Sequence, residues 1–486
     1  MKISVVGAGY VGLVSAACFA EIGHDVICVD NDSDKIRRLS AGEIPIHEEH
    51  LPLLLERHLG QRLNFSSDLG EAVRFCEAIF ICVGTPPSPN GEADLSYVEG
   101  VAREIAHLLN GPKVIVEKST VPVGTCEAVS RTLLLSGVSP MDFSVASNPE
   151  FLREGTAVSD FLFPDRILLG VPDQRSHSIM TQIYAPILNG SYYLSPDAIK
   201  GSTCTSTKLI ISSVKSAELI KHASNAFLAL KISFINAVSI VCERVGADVR
   251  QVSEGLGADS RIGPRFLNPG IGYGGSCFPK DVLAFRSVAR SVGYDFNLLT
   301  EVIAINETQK SLFIAKIRNA LWTLRGKKLA VLGMAFKGGT DDVRDSPALD
   351  IILSLRAQGA EVRAFDPAAM KRAAALLPEG TATFTPDAYS ACTGADALIV
   401  LTEWPEFANL DFARVRKLLR FPIVLDGRNL LNAQAVRDAG LTYFGIGGDI
   451  EQPLSPLNQF EDIFDPVHVL YEQAPPQVVN TETQLA

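Results

Sequence analysis

Cys277 stands alone in the glycine-rich run Gly274-Gly275-Ser276-Cys277-Phe278-Pro279-Lys280-Asp281, with a lysine and an aspartate close behind it. At the other end of the chain, Gly7-Ala8-Gly9-Tyr10-Val11-Gly12 follows a strand pattern and opens an apolar helical one. That context reads as a dinucleotide-binding turn. A thiol and a cofactor that accepts hydride suggest one chemistry: an aldehyde is captured as a thiohemiacetal, oxidised to a thioester and released by water as a carboxylate. By itself, a cysteine beside glycines is more often a small buried hydrophobe than a catalyst. The pairing points to catalysis.

Other residues can be placed around these two. Gly7, Gly9 and Gly12 let the backbone approach a pyrophosphate at a helix N-terminus. Asp30 closes the next strand, where a carboxylate bonds a ribose and repels a 2′-phosphate, so the expected cofactor is NAD. Thr85 and Thr120 follow two further strands and are candidate cofactor contacts. Glu150 and Glu154 in Asn148-Pro149-Glu150-Phe151-Leu152-Arg153-Glu154-Gly155 are four residues apart. If that segment is helical they share a face, which is either a site or a solvated surface. Lys221 and Asn225 have the same spacing on a strongly apolar helix. An unpaired buried ammonium is costly, so the pair fits a cleft, although a lysine at a helix edge can also snorkel to water. Arg261, Lys337 and Arg428 are basic groups available to an anionic ligand; taken singly each reads first as a surface charge, but Lys337 and Arg428 each lie just beyond a strand of the second α/β pattern.

A chain of 486 residues exceeds one core and predicts two or three domains. The net charge of −11 argues against nucleic acid. No apolar run approaches the length of a membrane span, and the chain opens directly into a strand, so the expectation is a cytoplasmic protein. Nine cysteines without a Cys-x-x-Cys give no disulfide or metal framework, and no metal is expected. Strand patterns at 3–6, 25–29, 78–83, 113–117 and 143–146 alternate with helical ones, which predicts a parallel sheet. Residues 195–213 are compatible with a surface loop or an edge hairpin. Residues 215–246 predict one helix, apolar on several faces, buried between domains or subunits, and shorter helices follow to about 324. Residues 329–333, 359–366 and 395–402 then echo 3–7, 23–30 and 78–85, a second copy of the same architecture. Beyond about 450 the chain has no core-forming pattern.

With these motifs in hand, the chain resembles the UDP-glucose/GDP-mannose dehydrogenase family from residue 1 to about 448. The resemblance rests on GAGYVG, CVGTP, STVPVGT, NPEFLREG, the Lys221/Asn225 helix, GYGGSCFPKD, MAFKGGTDDVRDSPA, TEW and DGRN. It implies an α/β fold: two Rossmann-like, doubly wound parallel-sheet domains joined by a central helical domain with a long helix. The expected divisions are 1–200 for NAD, 201–325 for the central domain, 326–450 for the nucleotide sugar and a flexible tail at 451–486. The implied reaction oxidises the C6 alcohol of a nucleotide sugar twice, to a carboxylate, with two NAD.

The roles implied by the resemblance can be assigned residue by residue. Cys277 is the thiol, assisted by Asp281; Lys221 stabilises negative charge on the sugar oxygen and Asn225 helps to orient it; Thr120 positions a water and Glu150 is its base. NAD is held by Gly7, Gly9, Tyr10, Val11, Gly12, Asp30, Lys35, Thr85, Thr120, Glu154, Lys280 and Arg344. The substrate meets Glu150, Phe151, Leu152, Glu154, Lys221, Asn225, Phe266, Gly274, Phe278, Lys337 and Arg428. Arg261 reaches it from a neighbouring subunit, so a homodimer is the smallest functional unit and a higher oligomer is compatible. Two departures stand out: residues 203–213 are longer than the family pattern, and Asn268 replaces a lysine that some relatives carry. UDP-glucose is the expected substrate. GDP-mannose or a UDP-N-acetylhexosamine would need the same catalytic residues, and a nucleotide sensor without catalysis is the reading from another class.

Overall fold

The computed structural model describes residues 1–88, 91–201 and 207–448. Its first eight strands are β1 (Lys2–Val6), β2 (Asp25–Val29), β3 (Leu63–Ser66), β4 (Ala78–Ile81), β5 (Lys113–Glu117), β6 (Phe143–Ser147), β7 (Arg166–Gly170) and β8 (Lys208–Ser212). They form one sheet in the order β3-β2-β1-β4-β5-β6-β7-β8. The inner strands β1, β4 and β5 are buried along almost their whole length because helices cover both faces, and β4 is apolar throughout. The sheet is mixed rather than all parallel: β7 meets β6 antiparallel, and β8 runs parallel to β7. Residues 208–212 are therefore a parallel edge strand, not part of a hairpin, and the first sheet extends to Ser212. Residues 202–206 and the expected tail at 451–486 lie outside the described residues.

The second sheet contains β9 (Lys328–Leu332), β10 (Glu361–Phe365), β11 (Thr383–Phe384), β12 (Ala397–Val400), β13 (Ile423–Asp426) and β14 (Thr442–Phe444). Its order, β11-β10-β9-β12-β13-β14, repeats that of the first six strands. The echo in sequence is an echo in topology. Asp30 follows β2 and accepts from Ala8 N at 2.8 Å; Asp366 follows β10 and accepts from Met334 N and Ala335 N at 2.7 and 3.0 Å. In each sheet the strand order reverses beside the first strand, and there the loops part to leave a ligand crevice.

Between the sheets runs the central helix, Val214–Val245, whose 32 residues end at Gly246 in the left-handed conformation. It is the one helix among the described residues long and apolar enough to cross a membrane. Packing against protein accounts for it: Ser233 Oγ donates to Val302 O and Gln309 Nε2 donates to Asn236 O, both from buried positions. Shorter helices follow it, of which Asn297–Leu321, with 25 residues, packs against the central helix.

Candidate active site

The glycine turn fits a dinucleotide by shape. Gly7 has φ +103°, and a Cβ there would lie 2.6 Å from Cys82 O; one on Gly12 would lie 1.8 Å from Gly7 O. Gly9 has open space instead, so the turn is tight on the protein side and clear on the side a pyrophosphate would approach. Tyr10 and Val11 begin the helix Tyr10–Glu21 behind it. Lys35 Nζ donates to Asp30 at 2.9 Å and helps hold that carboxylate below the usual range against the effect of burial. Thr85 Oγ1 donates to Thr120 O at 2.9 Å, tying together the loops after β4 and β5.

Cys277 is the N-cap of the helix Phe278–Ser291. The turn before it must be glycine because the third domain closes on it. A Cβ on Gly274 would meet Asp345 O at 2.1 Å and one on Gly275 would meet the Phe336 ring at 2.8 Å, while Gly275 N donates to Arg344 O at 2.9 Å. Around the thiol, Lys221 Nζ donates to Glu150 Oε1 at 3.0 Å, and Asn225 Nδ2 and Lys280 Nζ each donate to Asp281 at 2.6 Å. Burial and then Glu150 push the Cys277 thiol up to about 11, while Lys221 pulls the other way. Burial alone would depress Lys221, but Glu150, Cys277 and Asp281 keep it raised and charged.

Residues 151–156 are not helical, so Glu150 and Glu154 do not share a helix face. Asn148-Pro149 leaves β6 as a loop instead. Its two carboxylates reach opposite sides of the cysteine turn: Glu150 meets Lys221, while Glu154 accepts from Ser276 Oγ at 2.9 Å and Arg344 Nη2 at 3.3 Å. Burial and the neighbouring Asp342 raise Glu154. Its buried Oε2 has no donor among the described residues.

The remaining residues lie around this centre. The Phe278 ring lies 6.1 Å from that of Phe266, and the Phe151 ring sits 5.3 Å from the Lys221 ammonium. Leu152 N donates to Glu150 Oε2 at 2.5 Å. Lys337 is half-buried and depressed by burial, with Glu154 opposing the shift. Arg428 donates from all three nitrogens to carbonyls of Leu401, Gly272 and Phe336, so here it braces loops of two domains. Arg261 is exposed and bonds to Asp259 next to it, outside the cysteine cluster.

Three further groups hold the site although none of the sequence motifs names them. Glu218 accepts from Gly124 N and Cys126 N at 2.7 and 2.9 Å, and His222 Nε2 bonds Val121 O at 2.8 Å, fixing the loop after Thr120. With Lys221 and Asn225 they follow helical spacing, and that polar stripe on an apolar helix was a readable signal. Lys118, 3% exposed, donates to Asn148 Oδ1 at 3.2 Å and holds the start of the acidic loop. Nothing in its local sequence marks it. A cavity of about 50 Å³, lined by Lys118, Asn148, Glu150, Phe151, Arg166 and Tyr184 among others, lies behind Glu150.

Fold and site together define an oxidoreductase with two nucleotide-binding sheets, one for the redox cofactor. Residues 1–188, 215–308 and 330–433 match, respectively, the NAD binding, central and UDP binding domains of the UDP-glucose/GDP-mannose dehydrogenase family. The chain belongs to that family, and its cofactor is NAD. It is 45% identical over 460 residues to UDP-glucose 6-dehydrogenase TuaD of Bacillus subtilis, covering 94% of this chain and 96% of that one. It is 45% identical over 452 residues to a UDP-glucose 6-dehydrogenase of Rhizobium meliloti, covering 92% and 99%. The solved UDP-glucose dehydrogenase of Pyrobaculum islandicum superposes with a TM-score of 0.82 at 38% identity, over 92% of this chain and 98% of that one.

Proposed function

We propose that this protein oxidises the C6 alcohol of UDP-glucose to the carboxylate of UDP-glucuronate. The observation that carries this reading is the cluster at Cys277: a thiol, a charged Lys221, two carboxylates and Asn225, enclosed where the two nucleotide-binding halves meet. The names of relatives at 45% identity support the choice of sugar.

NAD, when bound, accepts one hydride at each of two oxidation stages, from alcohol to aldehyde and from thiohemiacetal to thioester. In the first stage the alcohol gives up a proton, and Lys221 and Asn225 stabilise the charge that develops on its oxygen. Cys277 Sγ then adds to the aldehyde carbon, with Asp281 assisting. Water finally attacks the thioester, its proton passes to Glu150, and the C–S bond breaks to return the thiol. Thr120 positions that water, and the cavity behind Glu150 has room for a few more. One alcohol, two NAD and one water become one carboxylate, two NADH and three protons.

Phe151, Leu152, Phe266, Gly274 and Phe278 line the sugar pocket in this reading. Lys337 and Arg428 serve the diphosphate end, Glu154, Lys280 and Arg344 complete the cofactor side, and Arg261 enters the neighbouring subunit's site. The working unit is a cytoplasmic homodimer. Supporting the dimer, Phe227, Phe234, Val241 and Val245 form a stripe on the central helix, each at least 51% exposed in the single chain. The decisive experiment follows NADH formation with UDP-glucose, GDP-mannose and UDP-N-acetylmannosamine in parallel. The expected result is two NADH per UDP-glucose and little with the others. One NADH with released aldehyde would sink the mechanism, and preference for another sugar would move the enzyme within its family.

A further inference from the structure

The segment 43–50 is irregular and carries none of the residues assigned above, yet it touches three parts of the molecule that must act together. Facing inward, Glu48 is 4% exposed and burial raises its carboxyl. Its Oε2 accepts from the Tyr10 hydroxyl and, at 2.8 Å, from Gly155 N, and its Oε1 accepts from Val158 N at 3.2 Å. One side chain thus holds the first helical residue of the dinucleotide turn and the loop that carries Glu150 and Glu154. Gly155 itself, at φ +86°, touches the third domain: a Cβ there would lie 2.3 Å from Gly339 O. Facing outward, Pro45 O accepts from Arg372 Nη2 at 2.9 Å, and Arg372 Nε pairs with Asp341 at 2.8 Å. The His47 ring meets Trp404 edge-on at 6.4 Å, and Trp404 Nε1 donates to Asp366 at the mouth of the second sheet.

We propose that segment 43–50 is a strap, with Glu48 as its positioning residue, that relays NAD occupancy of the glycine turn to the acidic loop and the third domain. A dinucleotide seated at residues 7–12 bears on Tyr10. Tyr10 shares the Glu48 carboxylate with Gly155, so the position of Glu154 follows. The backbone of the same segment carries the displacement to Arg372 and Trp404.

The test uses the full-length protein and Trp404 as reporter. The chain has two tryptophans, and Trp322 is 93% exposed, so Trp322→Phe isolates Trp404 without touching the site. NAD alone, without sugar, should change the Trp404 emission excited at 295 nm. Glu48→Gln replaces an acceptor by an amide NH2 that faces N–H donors. It should weaken NAD binding about fivefold or more and abolish the Trp404 response even at saturation. Because Glu48→Gln could also loosen the fold, Arg372→Gln provides the independent arm. It cuts the Pro45 bond and the Asp341 pair but leaves the Glu48 bonds and the His47–Trp404 contact, so NAD affinity should stay within about twofold while the Trp404 response falls by more than about half and kcat falls about three- to tenfold. A full Trp404 response in Arg372→Gln, or unchanged NAD affinity in Glu48→Gln, would overturn the strap. The readout needs only NAD, so either failure leaves the sugar-oxidation reading intact.

Discussion

In the substrate-free protein the Cys277 thiol is held protonated near neutral pH, because burial and the Glu150 carboxylate outweigh the pull of Lys221. With a pKa pushed up to about 11, its thiolate fraction should rise about tenfold per pH unit between pH 7 and pH 9. Inactivation by iodoacetamide should follow that slope and be blocked by UDP-glucose. A plateau below pH 8 would mean the thiol is activated before substrate arrives. The same residue gives a second test in Cys277→Ser. The first hydride transfer needs no nucleophile from this position, so binding should remain near normal. The hydroxyl is far less ionised and its ester hydrolyses more slowly than a thioester. Such a variant should make about one to two NADH per site and then stall with sugar attached, visible by intact-protein mass spectrometry. Turnover at the wild-type rate would make Cys277 a packing residue.

At the scale of elements, the end of β2 decides the cofactor. Asp30 is anchored by Ala8 N and by Lys35, which fixes its carboxylate where an adenosine ribose is expected. NAD should be preferred to NADP by about tenfold or more, since a carboxylate meeting a phosphate at close range is strongly repulsive. Asp30→Asn keeps an acceptor for Ala8 N but removes the charge, so kcat/KM for NAD should fall and the gap to NADP should narrow. An unchanged ratio would place the ribose elsewhere. The central helix does comparable work for the substrate side. Four of its polar residues reach three other elements: Glu218 and His222 hold the loop after Thr120, Lys221 bonds Glu150 and Asn225 bonds Asp281, so a single rigid element sets their mutual geometry.

For the whole molecule, the exposed face of the central helix is the feature a single chain leaves unexplained. Phe227 and Phe234 are 61% and 51% exposed on it. A Phe227→Glu/Phe234→Glu double variant should sediment as a monomer and lose activity by more than about tenfold, because Arg261 no longer reaches a partner's site. An active monomer would refute both the interface and the role of Arg261.

The first α/β pattern and its second copy, the central helix and the Cys277 turn could all be read from local order in the chain. Each depends on periodicity or on glycines at fixed offsets, and such signals survive in one dimension. Residues 208–212 are ambiguous in sequence because an edge strand has only one paired side, so its pattern is weak and its partner, β7, lies 42 residues away. Glu150 and Glu154 were paired by spacing, yet the Pro149 loop sends one to Lys221 and the other to Arg344 of the third domain. Glu48 and Lys118 carried no local signal at all. Their bonding partners are separated from them in sequence by 30 to 110 residues, and only the closing of the fold brings a buried carboxylate or ammonium to donors and acceptors that offset its desolvation. Local sequence determined which chemistry the chain carries, and tertiary packing decided which charges stand together to perform it.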